Sequence, residues 1–420
     1  MSVLSIDIGT TLVKCGLFCE DGRVFFSSAE YPLHTCGGIA EQDARDWLKA
    51  AAEGTRQVIA RDKGGSVQAI CVGSQGITFV PVLRDGTPIR PAITWLDVRA
   101  EEECREVLQK FSADEVFSVT GKNCSPGYTL PKLMWLKRHE TETYERAYCF
   151  LFPADYLNFV MTGQLVTDYT LASGSMAFDV RKLDWSEKFL DAFGIEREKL
   201  PEVKPFGTGI GLLKADTAAI FGLTAGIPVI LGGQDQKLAA IGAGLEPGTA
   251  TLSLGTATAV CSLEPTQGSS VFAFDGERLV YESVLDTCGA AIKWLKELFG
   301  FQNYADMDHL AERIGGSGGV QFEPDFISGA KLEGLTLGTE RGQIVCALYE
   351  GIAQRIAKLI PPGAERIVLF GGGAKSRVLC REISQACRIP TLIAETTETA
   401  ALGGAILASE RKIKPARRKF

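Results

Sequence analysis

VLSIDIGTTLVKCGLF, residues 3–18, alternates apolar and small polar residues on either side of a Gly-Thr-Thr tip. In an extended strand Leu4, Ile6 and Ile8 share one face, and Ser5, Asp7 and Gly9 share the other. The tip reads as a tight turn and VKCGLF as a returning strand, which predicts a β-hairpin. TATLSLGTATAVCSLE, residues 249–264, repeats the design. Leu252 and Leu254 lie on one face, Thr251, Ser253 and Gly255 on the other, and AVCSL returns after GTAT. Each hairpin is followed by a second matched element. A helix around DWLKAAAEGTRQVIA leads to the apolar strand QAICVG and the turn SQG. A helix around QIVCALYEGIAQRIAKL leads to RIVLF and the turn GGGA. The chain therefore reads as two copies of one α/β design, with a period far too long for a solenoid. Glycine-rich strand ends from both copies are expected to face a cleft between them. The boundary falls at 245/246, giving domains 1–245 and 246–420. The copies differ at one point: where the first hairpin has Asp7, the second has Ser253. A single asymmetric site needs its carboxylate on one side only.

The totals agree with this division. A chain of 420 residues is too long for one hydrophobic core. Its 45% hydrophobic and 23% charged residues place it among soluble globular proteins. A net charge of −7 argues against a nucleic-acid partner. The one basic run, RKIKPARRKF at 411–420, is expected to be a solvated or disordered tail. The opening MSVLSIDIGTT lacks the basic start of a secretion signal, and no apolar run approaches the roughly 18 residues of a membrane span. No membrane partner is expected, and a cytoplasmic setting is. The twelve cysteines form no CxxC pair and read as reduced core thiols. His34, His139 and His309 stand too far apart in sequence to suggest a zinc cluster.

Several short stretches carry candidate chemistry. Gly9-Thr10-Thr11 and Gly255-Thr256 would each let phosphate oxygens approach backbone N–H groups and threonine hydroxyls. Either alone fits an ordinary hairpin tip; the matched pair favours phosphate. Lys14 either reaches a terminal phosphate or is a surface strand lysine. Asp7 could hold Mg²⁺, which favours one or two carboxylates plus phosphates. FGGGAKS, residues 370–376, follows a strand and precedes a helix. Such a turn is either a nucleotide pocket or a plain βα loop, and its spacing is not that of a Walker A loop. In AITWLDVR, residues 92–99, Trp95 and Asp97 would point the same way from an extended segment. They could stack on a sugar ring and accept its hydroxyls, or be a core tryptophan and a helix cap. ILGGQDQKLAAIGAG, residues 230–244, puts Asp235 between a buried strand and a helix. As an N-cap it would accept backbone N–H bonds. As a general base it would take the proton of a hydroxyl attacking a γ-phosphate. One carboxylate can serve both roles.

In order, IDIGTTLVK, PAITWLDVR, TGKNCSPGYTLPKLMWLKRHE, LFPADYLNFVMTGQLVTDYTLASGSMAFDV, GGQDQKLAAIGAG, LSLGTATAV and FGGGAKS resemble the FGGY carbohydrate kinase family over nearly the whole chain. Within the family they are most similar to the members that phosphorylate xylulose. The resemblance implies an α/β fold of two duplicated actin-like (ribonuclease H-like) domains, the first binding sugar and the second nucleotide, with an interdomain cleft. It implies ATP and Mg²⁺ as cofactors and leaves a homodimer open. Asp7 matches the family's Mg²⁺-associated position. Thr10, Thr11 and Lys14 match the first phosphate segment, and Gly255 and Thr256 the second. Gly372, Gly373, Ala374 and Ser376 fall in the adenosine segment. Gln75, Trp95, Asp97 and Gln236 fall on the sugar side, and Asp235 matches the catalytic base. The expected reaction is ATP-dependent phosphorylation of a ketose such as xylulose or a related polyol. The rival readings are an actin-like ATPase and a degenerate member that binds sugar and nucleotide without turnover. The sequence also departs from the family. The second domain is trimmed between Ser262 and Gly371, a familiar segment shrinks to Ile327–Lys331, and Gln75-Gly76 stands near a usual Met-His.

Overall fold

The structure, a computed structural model, describes residues 2–62, 66–410 and 412–420. The chain divides into two compact units. The first comprises Met1–Gly242, Ser270–Leu279 and Ala400–Lys414; the second comprises Ala243–Ser269, Val280–Thr399 and Pro415–Phe420.

The frame of the first unit is a sheet of β1 (Ser2–Ile8), β2 (Leu12–Phe18), β3 (Val24–Glu30), β4 (Val67–Ser74), β5 (Gly209–Leu212) and β6 (Pro228–Gln234), in the order β5-β6-β4-β1-β2-β3. β1 pairs antiparallel with β2 and parallel with β4, and β6 runs parallel to β4. In the second unit β7 (Thr249–Leu254), β8 (Thr258–Ser262), β9 (Leu279–Leu285), β10 (Arg366–Phe370), β11 (Thr391–Ala394) and β12 (Arg417–Lys419) run in the order β9-β8-β7-β10-β11-β12. β7 pairs antiparallel with β8 and parallel with β10, which runs parallel to β11. Both units thus carry a hairpin, a third antiparallel strand outside it, and parallel strands on the hairpin's other side. This is the duplicated actin-like α/β architecture that the two rhyming hairpins predict.

Helices α1 (Ala44–Arg61) and α2 (Asp235–Ala243) accompany the first sheet, and α3 (Gly289–Leu298), α4 (Tyr304–Ile314), α5 (Arg341–Ala357) and α6 (Arg377–Cys387) the second. α7 (Thr399–Ala408) returns to the first unit after its opening residue. Asp43 caps α1 by accepting from the Arg45 N–H at 2.9 Å. Trp47, Ala50, Ala51, Gly54 and Val58 then recur at helical spacing and are all buried. At Gly54 a Cβ would stand 2.8 Å from Cys15 Sγ, so the helix presses directly on β2.

The expected alternation of β1 meets a different environment. All seven residues of the strand are buried, so both of its faces are covered. Leu4, Ile6 and Ile8 join the main core, each contributing about 2 kcal/mol of burial. The opposite face lies under α7, where Val3, Phe18, Ala69 and Cys71 pack with Ala401, Leu402, Ala405 and Ile406. Small residues make this approach close. A Cβ at Gly403 would fall 1.9 Å from the Leu238 carbonyl oxygen, and one at Gly404 would fall 2.3 Å from Ser5 Oγ.

The basic run at 411–420 is not the disordered tail its composition suggests. Arg417, Arg418 and Lys419 pair with Ala394, Ile393 and Leu392, extending the second sheet by one antiparallel strand. Arg417 Nη1 also meets Glu246 Oε1 at 3.3 Å. Backbone groups along the edge of β11 supply what composition does not reveal. Arg411 lies outside the described residues. All twelve cysteines are free thiols. Among the described residues no helix is long and apolar enough to cross a membrane.

Candidate active site

Three parallel neighbours, β1, β4 and β6, stop at the same edge of the first sheet, with Ile8 and Gln234 both opposite Ser74. Ligands of open α/β sheets gather at such carboxyl ends. The segments that follow these strands are Gly9-Thr10-Thr11, Gln75-Gly76 and Asp235-Gln236. The register between β6 and β4 slips between Leu231 and Gln234. A Cβ at Gly232 would sit 2.1 Å from the Val72 carbonyl oxygen, and one at Gly233 would sit 2.8 Å from Thr170 Oγ1. This glycine bulge therefore sets where Gln234 and Asp235 leave the sheet.

The bulge is held from below. The Gln234 N–H donates to Thr170 Oγ1 at 2.8 Å, and Thr170 Oγ1 donates to Asp168 Oδ2 at 2.7 Å. Asp168 also accepts from the backbone N–H groups of Thr170 and Leu171. Burial raises its carboxyl to about 6, against the opposing pull of those donors and of Lys237. Asp235 is the first residue of α2, and its carboxylate accepts the N–H of the next residue, Gln236, at 2.7 Å, one position short of the donors an N-cap takes.

A chain of amides links the other segments. Gln42 Nε2 donates to the Thr10 carbonyl at 2.5 Å, and Gln42 Oε1 accepts from Gln75 Nε2 at 2.9 Å and from Trp47 Nε1 at 3.2 Å. Trp95 Nε1 donates to Thr10 Oγ1 at 3.0 Å while the residue stays 42% exposed, which leaves indole surface for a ligand. Tyr31 OH donates to the Gly9 carbonyl. Its hydroxyl is raised far above the ordinary tyrosine value, first by burial and then by the charges of Asp7 and Asp235. Both carboxylates thus act on one phenol, on either side of the Gly-Thr-Thr turn in sequence. Lys14 stands directly across the hairpin from Asp7. Gln42, Tyr31, Asp168 and Thr170 were not singled out from the sequence. The one local signal was Asp168-Tyr-Thr ahead of a short helix, a capping pattern.

Asp97 departs from expectation. It is fully buried, and both of its oxygens are engaged within the protein. Oδ2 accepts from the Ala40 N–H and Arg99 Nη2 at 2.7 Å each, and Oδ1 accepts from the Arg99 N–H and Nε. Burial alone would raise this carboxyl, but the Arg99 guanidinium and the backbone donors outweigh it and hold it low. The carboxylate expected to receive sugar hydroxyls instead anchors Arg99, which also pairs with Glu41 and stacks 4.8 Å from the Trp135 ring centroid.

Beside this network Lys132 is fully buried and donates to the Thr94 carbonyl at 2.6 Å and to the Gly127 carbonyl. Burial, helped by Arg99 and opposed by Asp97, lowers its ammonium to about 7. The ordinary lysine value is about 10.4. Above pH 7 the folded chain has therefore released a proton that the unfolded chain still holds, and the stability linked to this group rises with pH. Between pH 7 and 9 the stability of the wild type relative to Lys132→Met is expected to rise, by at most about 1.4 kcal/mol per pH unit. Urea unfolding midpoints across that window check it, and a flat difference would mean that Lys132 stays charged when buried.

The second unit carries a separate site. A cavity of about 900 Å³ is lined by Gly255, Thr256, Gly372, Gly373, Ser376, Trp294 and Tyr304, among others. α3 starts against the Gly-Thr turn: the Gly289 N–H donates to the Gly255 carbonyl and the Ala290 N–H to the Thr256 carbonyl, both at 3.0 Å. Gly371 takes a φ of +87°, bringing the glycine turn against Leu254. Of the expected adenosine segment, Gly372, Gly373 and Ser376 line the cavity, while Ala374, half-buried, packs against the core. Ser376 caps α6 by accepting the Leu379 N–H at 3.1 Å and donates to Asp308 Oδ1 at 2.9 Å. Asp308, a cavity residue the sequence did not betray, also receives the Tyr349 hydroxyl at 2.7 Å.

Family models match this arrangement across the chain. The N-terminal domain of the FGGY family of carbohydrate kinases matches residues 2–242 and its C-terminal domain matches residues 250–410, so the chain belongs to that family and is a carbohydrate kinase. A xylulose kinase of Lactococcus lactis subsp. lactis (strain IL1403) is 30% identical over 89% of this chain and 80% of its own length. An L-fuculokinase of Escherichia coli (strain K12) is 27% identical over 96% of this chain and 91% of its own. Among solved structures, a ligand-bound xylulose kinase from Lactobacillus acidophilus superposes with a TM-score of 0.91 at 23% identity, covering 100% of this chain and 93% of its own. That likeness establishes the fold.

Proposed function

We propose that this kinase transfers the γ-phosphoryl group of ATP to a hydroxyl of a ketose such as xylulose, or of a related polyol. The observation that carries the reading is the convergence of Asp235, Gln236, Gln75 and the Gly9-Thr10-Thr11 turn at one edge of the first sheet, with Trp95 bonded to Thr10. Asp235 takes the proton of the attacking hydroxyl. Gln75 and Gln236 present amide groups to the sugar, and Trp95 offers indole surface to its carbon skeleton. The cavity of the second unit, at about 900 Å³, suits a nucleotide. Its Gly255-Thr256 turn and glycine loop supply backbone close to phosphate and adenosine. The names of the xylulose kinase and L-fuculokinase relatives support a ketose acceptor.

Mg²⁺ fits the donor set. Among the described residues no cluster of three or more acidic, histidine or cysteine ligands exists. Asp7 is a single carboxylate beside a phosphate-type turn, and Mg²⁺ is commonly held by one carboxylate, water and phosphate. When bound, the ion would neutralise charge on the phosphates. Lys14, across the hairpin from Asp7, adds a positive charge at the same turn. Residence of a homodimer or a cytoplasmic setting forms no part of the mechanism.

The test is ADP release with Mg-ATP across a panel of ketoses and polyols. One or a few sugars are expected to raise turnover many-fold over the sugar-free rate. ATP hydrolysis that no sugar stimulates would overturn the proposal in favour of a plain ATPase.

A further inference from the structure

From the packing at the end of β6 we infer that Gln234 is a specificity-determining residue, which accepts a hydroxyl hydrogen bond from a neutral polyhydroxylated substrate. The inference rests on the kinase reading and deepens it. The backbone of Gln234 is fixed at both ends, opposite Ser74 in the sheet and through its N–H to Thr170 Oγ1. Its side chain lies over Gly76. A Cβ placed there would stand 2.6 Å from Gln234 Nε2, 3.1 Å from Cδ and 3.2 Å from Cγ. The amide therefore occupies the room that any side chain at position 76 would take, in the segment where this sequence leaves the family pattern.

Gln234 Oε1 is buried with no hydrogen-bond partner among the described residues, as are Gln75 Oε1 and Gln236 Oε1. A buried acceptor left unpaired is unfavourable, and because the residue as a whole is half-buried at the strand edge, a turn of its amide would let a ligand relieve it. All three are neutral acceptors, so the matching ligand brings hydroxyl donors. A carboxylate has no hydrogen to give them. The substrate class is a neutral ketose or polyol with several adjacent hydroxyls, in preference to a sugar acid.

Gln234→Met tests this, because methionine keeps length and bulk but removes the acceptor. For the best neutral sugar, KM is expected to rise at least about 10-fold, with a smaller change in kcat and an unchanged Tm. Among monodeoxy analogues of D-xylulose, one is expected to be rejected by the wild type and to be discriminated little by the variant. Gln234→Asn, which restores an acceptor on a shorter stem, is expected to recover part of the discrimination. Equal losses on the parent sugar and every deoxy analogue, or D-gluconate outperforming neutral sugars in the wild type, would overturn the inference. If no sugar stimulates ADP release, the kinase reading fails separately. Quenching of tryptophan fluorescence by D-xylulose and by xylitol then decides this inference: it stands if Gln234→Met weakens binding about 10-fold and falls if the two proteins bind alike.

Discussion

Asp235→Asn is expected to lower sugar-dependent ADP release by about 100-fold or more while leaving the KM for sugar within a few-fold. The substitution separates the two roles that the sequence left open at this position. The Asp235 carboxylate accepts the Gln236 N–H at 2.7 Å, a bond that the side-chain oxygen of asparagine can accept equally. Thermal stability should therefore hold. Asparagine cannot take a proton from an attacking hydroxyl. A loss confined to kcat assigns general-base chemistry to Asp235. If Asp235→Asn keeps sugar-stimulated turnover near the wild-type rate, Asp235 is a helix cap and the hydroxyl loses its proton elsewhere. Should both turnover and Tm collapse, the capping role dominates.

Gly403→Ala is expected to remove about 3 kcal/mol of stability, a Tm decrease of roughly 3–4 °C in scanning calorimetry. The reason is the nature of the obstacle. The new Cβ would fall 1.9 Å from the Leu238 carbonyl oxygen, a backbone atom of α2 that cannot turn aside. Either α7 lifts from the sheet or α2 moves. Gly404→Ala is the matched comparison. Its Cβ would meet Ser5 Oγ at 2.3 Å, and a hydroxyl can rotate away, so a smaller loss is expected. Equal Tm changes for the two variants would show that the helices separate cheaply and that backbone contact does not govern this packing. Because Asp235 opens α2, Gly403→Ala is also expected to slow turnover more than Gly404→Ala does.

The two hairpins were legible because each signals itself within sixteen residues and then repeats; alternation, a Gly-Thr tip and a returning strand need no distant information. The matching sheet orders followed from that repeat. What stayed hidden depended on contacts between distant residues. The burial of both faces of β1 required α7, whose composition says apolar helix but not which sheet it covers. The partners of Asp97 were hidden because Trp-x-Asp spacing describes a direction and not the demand of neighbouring donors; Arg99 and the Ala40 N–H both bond the carboxylate. Tyr31 and Gln42 join the site from strands and loops with no motif of their own. Their importance lies in the partners Gly9, Thr10 and Gln75, which only folding brings near.

α7 also carries a message about time. Val3, Phe18, Ala69 and Cys71 are made early by the ribosome, yet the residues that cover them, Ala401 to Ile406, emerge only after the whole of the second unit's parallel core has been translated. A nascent first unit therefore waits with one side of its central strand uncovered. During synthesis that surface is a natural stop for a chaperone, and a chain interrupted before residue 400 would keep it exposed however well its remaining parts had folded.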